Sequence, residues 1–273
     1  MRLEIFDVEH GACALLTCDD NTRLMLDAGH NTTTGWKPGD HLVRNGIGSL
    51  DMLAITNYDE DHVSGIENLF DNVDVSWLSR NNTVSSGALR SLKSEDGMGP
   101  GIGRLCHAID NTFTGGGTSS LPTFGGLERK TFKCSYPEFD DENNLSLVNF
   151  LNCNGRGVLF TGDLERAGWE KLSEDAGFIS AMHSTNVLIA PHHGRIPEVD
   201  RDFFRDFYGR YFPNVYYVVV SDKGYMYNTQ ETIPLFRQFA TGGPFRGATR
   251  QVLTTRNDGC INFRFDGDSW GPS

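Results

Sequence analysis

The chain is 273 residues long, with a formal net charge of −12 and 38% hydrophobic residues. No apolar run reaches the ~18 residues of a membrane helix, and the opening Leu3, Ile5, Phe6 and Val8 alternate like a strand rather than a secretory leader. The surplus of 36 acidic over 24 basic side chains argues against a broad nucleic-acid-binding face, because phosphate binding relies on Lys and Arg.

Strands at about 2–8, 12–18 and 23–27 form a meander, with Asp19-Asp20-Asn21 as a hairpin turn. The apolar run from Leu50 to Ile55 is a buried strand that feeds an acidic stretch. A helix begins near His62, with Ile66, Leu69 and Phe70 spaced toward the core. A short strand near 73–78 and a helix over 84–94 follow. Residues 97–126, rich in Gly, Ser and Thr, are too long for a simple connection and are expected to form a substrate-facing flap. Strands at about 130–134, 145–152 and 157–161 lead to a helix over 165–176, a strand at 186–190 and a helix at 199–208. Val215 to Val220, β-branched and aromatic throughout, is the clearest buried strand. A helix over 230–240 and a hairpin over 250–265 complete one unit spanning 1–268, and 269–273 is an unstructured tail. The six cysteines include no Cys-x-x-Cys pair and suit a reducing, cytoplasmic setting.

Three strands end in metal-type ligands. Asp59, Asp61 and His62 fall within four residues after the first, Thr161-Gly162-Asp163 follows the second, and His192-His193-Gly194 follows the third. Carboxylates and imidazoles suit zinc, iron or manganese, and the carboxylates shift the balance toward manganese. Three such strand ends in one chain point to a metal site rather than to helix caps and turn formers.

In this order the motifs resemble the metallo-β-lactamase superfamily, and within it the soluble hydrolase domain of ComEC-type competence proteins. Ile5 to Gly11 resembles its first strand and glycine loop, and Leu24 to Gly29 its turn with an aspartate behind the metal site. Asn57-x-Asp59-x-Asp61-His62 resembles its H-x-D-x-D-H motif. Asn143 to Val148, Thr161 to Asp163, His192 to Gly194 and Arg256 to Gly259 resemble further family segments. The resemblance covers about residues 3–268 and implies an α/β fold, a single-domain αββα four-layer sandwich.

It also implies a divalent metal, zinc or manganese. One ligand set is complete: Asp61, His62, Asp163 and one of His192 and His193. The other is thin, with Asn57, Asp59 and Asn144 or Ser146, so one ion is held firmly and a second weakly or not at all. Asn57 stands where the family has a histidine, and a later family histidine is missing near Tyr227 and Asn228. His10 and His30 lie on loops that could compensate. The implied activity is phosphodiester hydrolysis, as a nuclease or nucleotide phosphodiesterase, by a metal-bound hydroxide that Asp163 bridges or orients; a small cyclic nucleotide or oligonucleotide suits the acidic surface better than duplex DNA. Asp59 serves as acid, base or weak ligand, Asn57 bonds a substrate oxygen, and Lys223 or Arg195 meets phosphoryl charge. The rival reading is a non-catalytic regulatory module, and a third is a hydrolase activated by a protein partner. No membrane partner is expected.

Overall fold

The computed structural model describes residues 1–94, 97–115, 121–222, 232–267 and 269–273. Two sheets dominate. The first runs Ser269–Pro272, Ile261–Asp266, Arg2–Ile5, Ala14–Thr17, Arg23–Leu26, Met52–Ala54 and Leu78–Ser79 in spatial order. The second runs Val252–Thr254, Tyr217–Val220, Thr185–Ile189, Arg156–Phe160, Val148–Cys153 and Leu127–Phe132.

Alternation along the strands explains the layering. Leu16, Leu24 and Ala54 of the first sheet pack against Leu151, Val158, Val187 and Val219 of the second. Their neighbours Leu15, Met25 and Leu53 face the other way, onto Leu42, Ile66, Leu69, Leu89 and Leu105 from helices. On the far side Leu159, Leu188 and Val218 meet Trp169, Phe178, Phe204, Tyr208 and Phe236. Both faces of each sheet are buried, so the central strands read as continuous apolar runs. The result is the expected αββα sandwich.

Several local expectations are corrected. Residues 97–126 are not a flap through their length: Pro100–Asn111 is a helix whose Ile102, Leu105, Cys106 and Ile109 are buried in the core. Its glycines masked this spacing, which is helical. Pro100 sits in the first turn, where no backbone donor is needed. The expected hairpin over 250–265 does not exist, because Val252–Thr254 pairs with Tyr217–Val220 and Ile261–Asp266 pairs with Arg2–Ile5. Ser269–Pro272 is not a free tail but an antiparallel partner of Ile261–Asp266. The helix expected over 165–176 ends at Leu172, and a second one, Ala176–His183, follows. The helix Pro38–Arg44 was not anticipated.

The site follows from strand direction. Arg23–Leu26 is parallel to Met52–Ala54, and Arg156–Phe160, Thr185–Ile189 and Tyr217–Val220 are mutually parallel. Parallel strands end at one edge, so the loops after them gather Asp27, residues 56–62, Asp163, residues 191–194 and Ser221. The Leu147 amide donates to the Thr56 carbonyl (2.7 Å), tying the second sheet's approach to the first sheet's loop.

Candidate metal centre

His62 is the centre of the cluster. It is buried, with Nδ1 3.0 Å from Asp27 Oδ2 and Nε2 3.0 Å from Asp163 Oδ1. Asp27 also accepts from the Thr56 amide at 2.7 Å, which holds its carboxylate still. Burial opposes a charge on His62, but Asp163 and Asp27 outweigh it and lift its pKa well above the usual value.

His193 faces the same carboxylates from the opposite sheet. Its Nδ1 donates to the Ser221 carbonyl (3.0 Å), an oxygen that can only accept, so the Nε2 lone pair points inward. Asp61 Oδ2 lies 3.0 Å and Asp163 Oδ2 3.6 Å from that nitrogen, yet it makes no well-directed hydrogen bond and is buried. Burial works against protonation of His193, and the two carboxylates reverse this, raising its pKa to about 9. Asp61, penalised by burial but faced by His193 and His62, is lowered to about 2. Without a metal, protons on the imidazoles do the work of a cation between Asp61 and Asp163.

Backbone conformation separates the two histidines that sequence left open. His192 and His193 both have positive φ, 49° and 53°, a strained conformation that persists only where surroundings enforce it. The turn aims His193 into the cluster and His192 to the rim. There His192 Nδ1 is 3.4 Å from Glu165, and its Nε2 accepts from Arg195 Nη1 at 3.1 Å.

Two expected site residues are engaged elsewhere. Asn57 is buried and closed by hydrogen bonds: its Oδ1 accepts from the Asp59 amide (2.7 Å), and its Nδ2 donates to Ser146 Oγ (3.2 Å) and the Glu142 carbonyl (3.3 Å). It acts as a loop clamp. Because Ser146 Oγ in turn accepts from the Asp163 amide (3.0 Å), Asn57 supports Asp163 at one remove. Asp59 is bound by the ammonium of Lys93, which also meets Glu142 at 2.8 Å. Burial opposes the Lys93 charge, and these two carboxylates more than restore it, raising its pKa. Nothing in the spacing of Lys93 signalled this pairing, which spans 34 residues.

Two triads have ligand atoms within 4.8 Å of one another: His62, Asp163 and His193, and His10, Asp61 and His193. Their His10, Asp61 and Asp163 line a cavity of about 510 Å³, together with His30, Asp59 and Arg195. His30 thus lines the cavity without joining a triad. The expected roles of Lys223, Tyr227 and Asn228 lie outside the described residues.

No family model matches the chain, and no curated protein does. Solved structures do. A variant of the CmlA β-hydroxylase is 12% identical with a TM-score of 0.51, over 96% of this chain and 54% of that one. The chain therefore spans about half of CmlA, described as a diiron β-hydroxylase from Streptomyces venezuelae. A chain from Parabacteroides distasonis described as a putative metal-dependent hydrolase is 11% identical with a TM-score of 0.49, over 93% of each chain. A metallo-β-lactamase of Cronobacter sakazakii is 12% identical with a TM-score of 0.41, over 77% of this chain and 85% of that one. Together with the four layers, the match places the architecture. The chain has the metallo-β-lactamase fold. At these identities the likeness concerns the fold, and fold does not fix chemistry. In this metallo-β-lactamase fold, the donor cluster lies where the strand ends of the two sheets converge.

Proposed function

We propose that the chain is a metal-dependent hydrolase of small phosphoester substrates. The observation that carries this reading is the buried His193 Nε2, which faces Asp61 Oδ2 (3.0 Å) and Asp163 Oδ2 (3.6 Å) without a well-directed hydrogen bond. That donor set, with His62, fits zinc, manganese or iron. A divalent cation held there supplies Lewis-acid polarisation and an acidified water near neutral pH.

The chain's own groups do the rest. Asp27 and the Ser221 carbonyl fix the orientation of His62 and His193, and Ser146 fixes the Asp163 loop. Arg195 is the cationic side chain among the cavity walls and meets the phosphoryl oxygens. His192, between Glu165 and Arg195 at the rim, handles the proton of the leaving group, since Lys93 already occupies Asp59. A cavity of about 510 Å³ beneath acidic walls and a net charge of −12 favour a small diester over long duplex DNA.

The test is turnover of a chromogenic phosphodiester and monoester panel by protein loaded with manganese, zinc or iron. Asp163→Ala should lower the rate by more than ~100-fold, because it removes a donor outright rather than a supporting contact worth about 10–100-fold. Full activity in both Asp61→Ala and Asp163→Ala proteins would overturn the site. Tight metal binding with no turnover across the panel would favour the non-catalytic reading, which the engaged Asn57 and Asp59 motivate.

A further inference from the structure

The metal-centre reading above uses His62, Asp61, Asp163 and His193. His10 is unassigned, although its Nε2 lies 3.6 Å from Asp61 Oδ2 and its ring centroid 4.3 Å from that of His193. Local structure forces this approach. Gly11 lies against the Asp61 backbone so closely that a Cβ on it would sit 2.6 Å from the Asp61 carbonyl oxygen. The Ala12 amide then donates to that same carbonyl at 3.3 Å. The loop is thus docked onto the segment that carries Asp61, with His10 at the cavity wall.

We infer that His10 is a metal ligand, closing on one ion with Asp61 and His193. The inference rests on the metal-centre reading. His10 Nε2 lies 3.6 Å and His193 Nε2 3.0 Å from Asp61 Oδ2, and the ligand atoms of these three residues lie within 4.8 Å of one another, while Asp163 meets His193 through Oδ2 (3.6 Å) and His62 through Oδ1 (3.0 Å). Donors bound to one ion at about 2.0–2.2 Å lie roughly 3–4 Å apart. The two triads share His193 Nε2, and an imidazole nitrogen has a single lone pair, which serves a single ion.

Charge leads to the same count. Asp61 and Asp163 together neutralise one divalent cation. Asp59, on the cavity wall, shares the Lys93 ammonium with Glu142.

The experiment is titration of the metal-free full chain with cobalt(II), followed by visible absorption, for wild type, His10→Ala, His10→Gln and His30→Ala. Wild type should saturate at one equivalent with the weak bands of five- or six-coordinate cobalt. Both His10 variants should keep one equivalent but bind about tenfold or more weakly, with stronger bands as the coordination number falls. His30→Ala should match wild type. His10 titrations that superimpose on wild type, or two independent equivalents in wild type, would overturn the inference while leaving a metal centre standing. No cobalt binding by wild type would overturn the metal-centre reading and this inference together.

Discussion

His62 Nδ1 lies 3.0 Å from Asp27 Oδ2, and both side chains are buried. A carboxylate there can only accept, so it keeps the proton on Nδ1 and turns Nε2 toward Asp163. Carboxylates placed behind a metal-ligating histidine in this way are worth about 10–100-fold in affinity. Asp27→Asn should lower metal affinity by that amount while preserving stoichiometry, as measured by competition with a chelating indicator. Unchanged affinity would mean that Asp27 serves only the Thr56 turn.

The pairing of Lys93 with Asp59 and Glu142 is a buried cation between two half-buried anions. Lys93→Met would leave those carboxylates facing each other. Breaking a fully buried pair costs about 3–5 kcal/mol, and partial solvent screening here reduces this to about 1–3 kcal/mol. Urea denaturation of Lys93→Met against wild type measures it. Adding Asp59→Asn should recover part of the loss, because it removes one of the stranded charges.

In the metal-free protein, His193 has its pKa raised from 6.5 to about 9. A raised pKa contributes stability that is complete below the unfolded value and is lost as pH rises through the folded one. The melting temperature of stripped protein should therefore fall between about pH 6.5 and pH 9. Asp61, lowered from 3.8 to about 2, acts in the opposite sense, and its contribution disappears as pH falls through that range. Metal competes with the imidazole proton, so loaded protein should not show the decline between pH 6.5 and 9. Scanning calorimetry of both forms across this range is the check.

Glu60 caps the helix Pro100–Asn111 from outside it, its Oε1 accepting from the Gly101 amide (2.8 Å) and its Oε2 from the Ile102 amide (3.1 Å). Side-chain caps of helix N-termini contribute about 0.5–2 kcal/mol. Glu60→Ala should destabilise the protein within that range and raise amide exchange first in residues 101–105. The neighbouring Asp61 would register the change only weakly, so metal stoichiometry should hold.

Gly29 makes a related point about crowding. A Cβ there would lie 2.5 Å from the Asp61 carbonyl oxygen and 2.8 Å from that of Ala12, both backbone atoms that cannot swing aside. Gly29→Ala should cost about 1–3 kcal/mol through overpacking and weaken metal binding by displacing Asp61. Denaturation midpoints and cobalt affinity should shift together.

Features that depend on short-range pattern are legible in the residues alone. Apolar runs ending in Asp61-His62, Asp163 and His192-His193 marked strands that deliver polar groups from a rigid base, and two-residue alternation marked the sheets. These signals are local because backbone period and burial are local. Contacts over long separations belonged to the tertiary structure. Only the fold decided that Val252–Thr254 and Ile261–Asp266 join different sheets, since strands near in sequence can pair with any free edge. The choice between His192 and His193 depended on positive backbone angles, which composition does not encode. Lys93 reaches the site across tens of residues and carries no motif, while the segment Ile5–Gly11 marks the loop of His10 but not its docking beside Asp61. A metal-type cluster was legible from strand ends, whereas which donors meet depends on how two sheets and their loops converge at one edge.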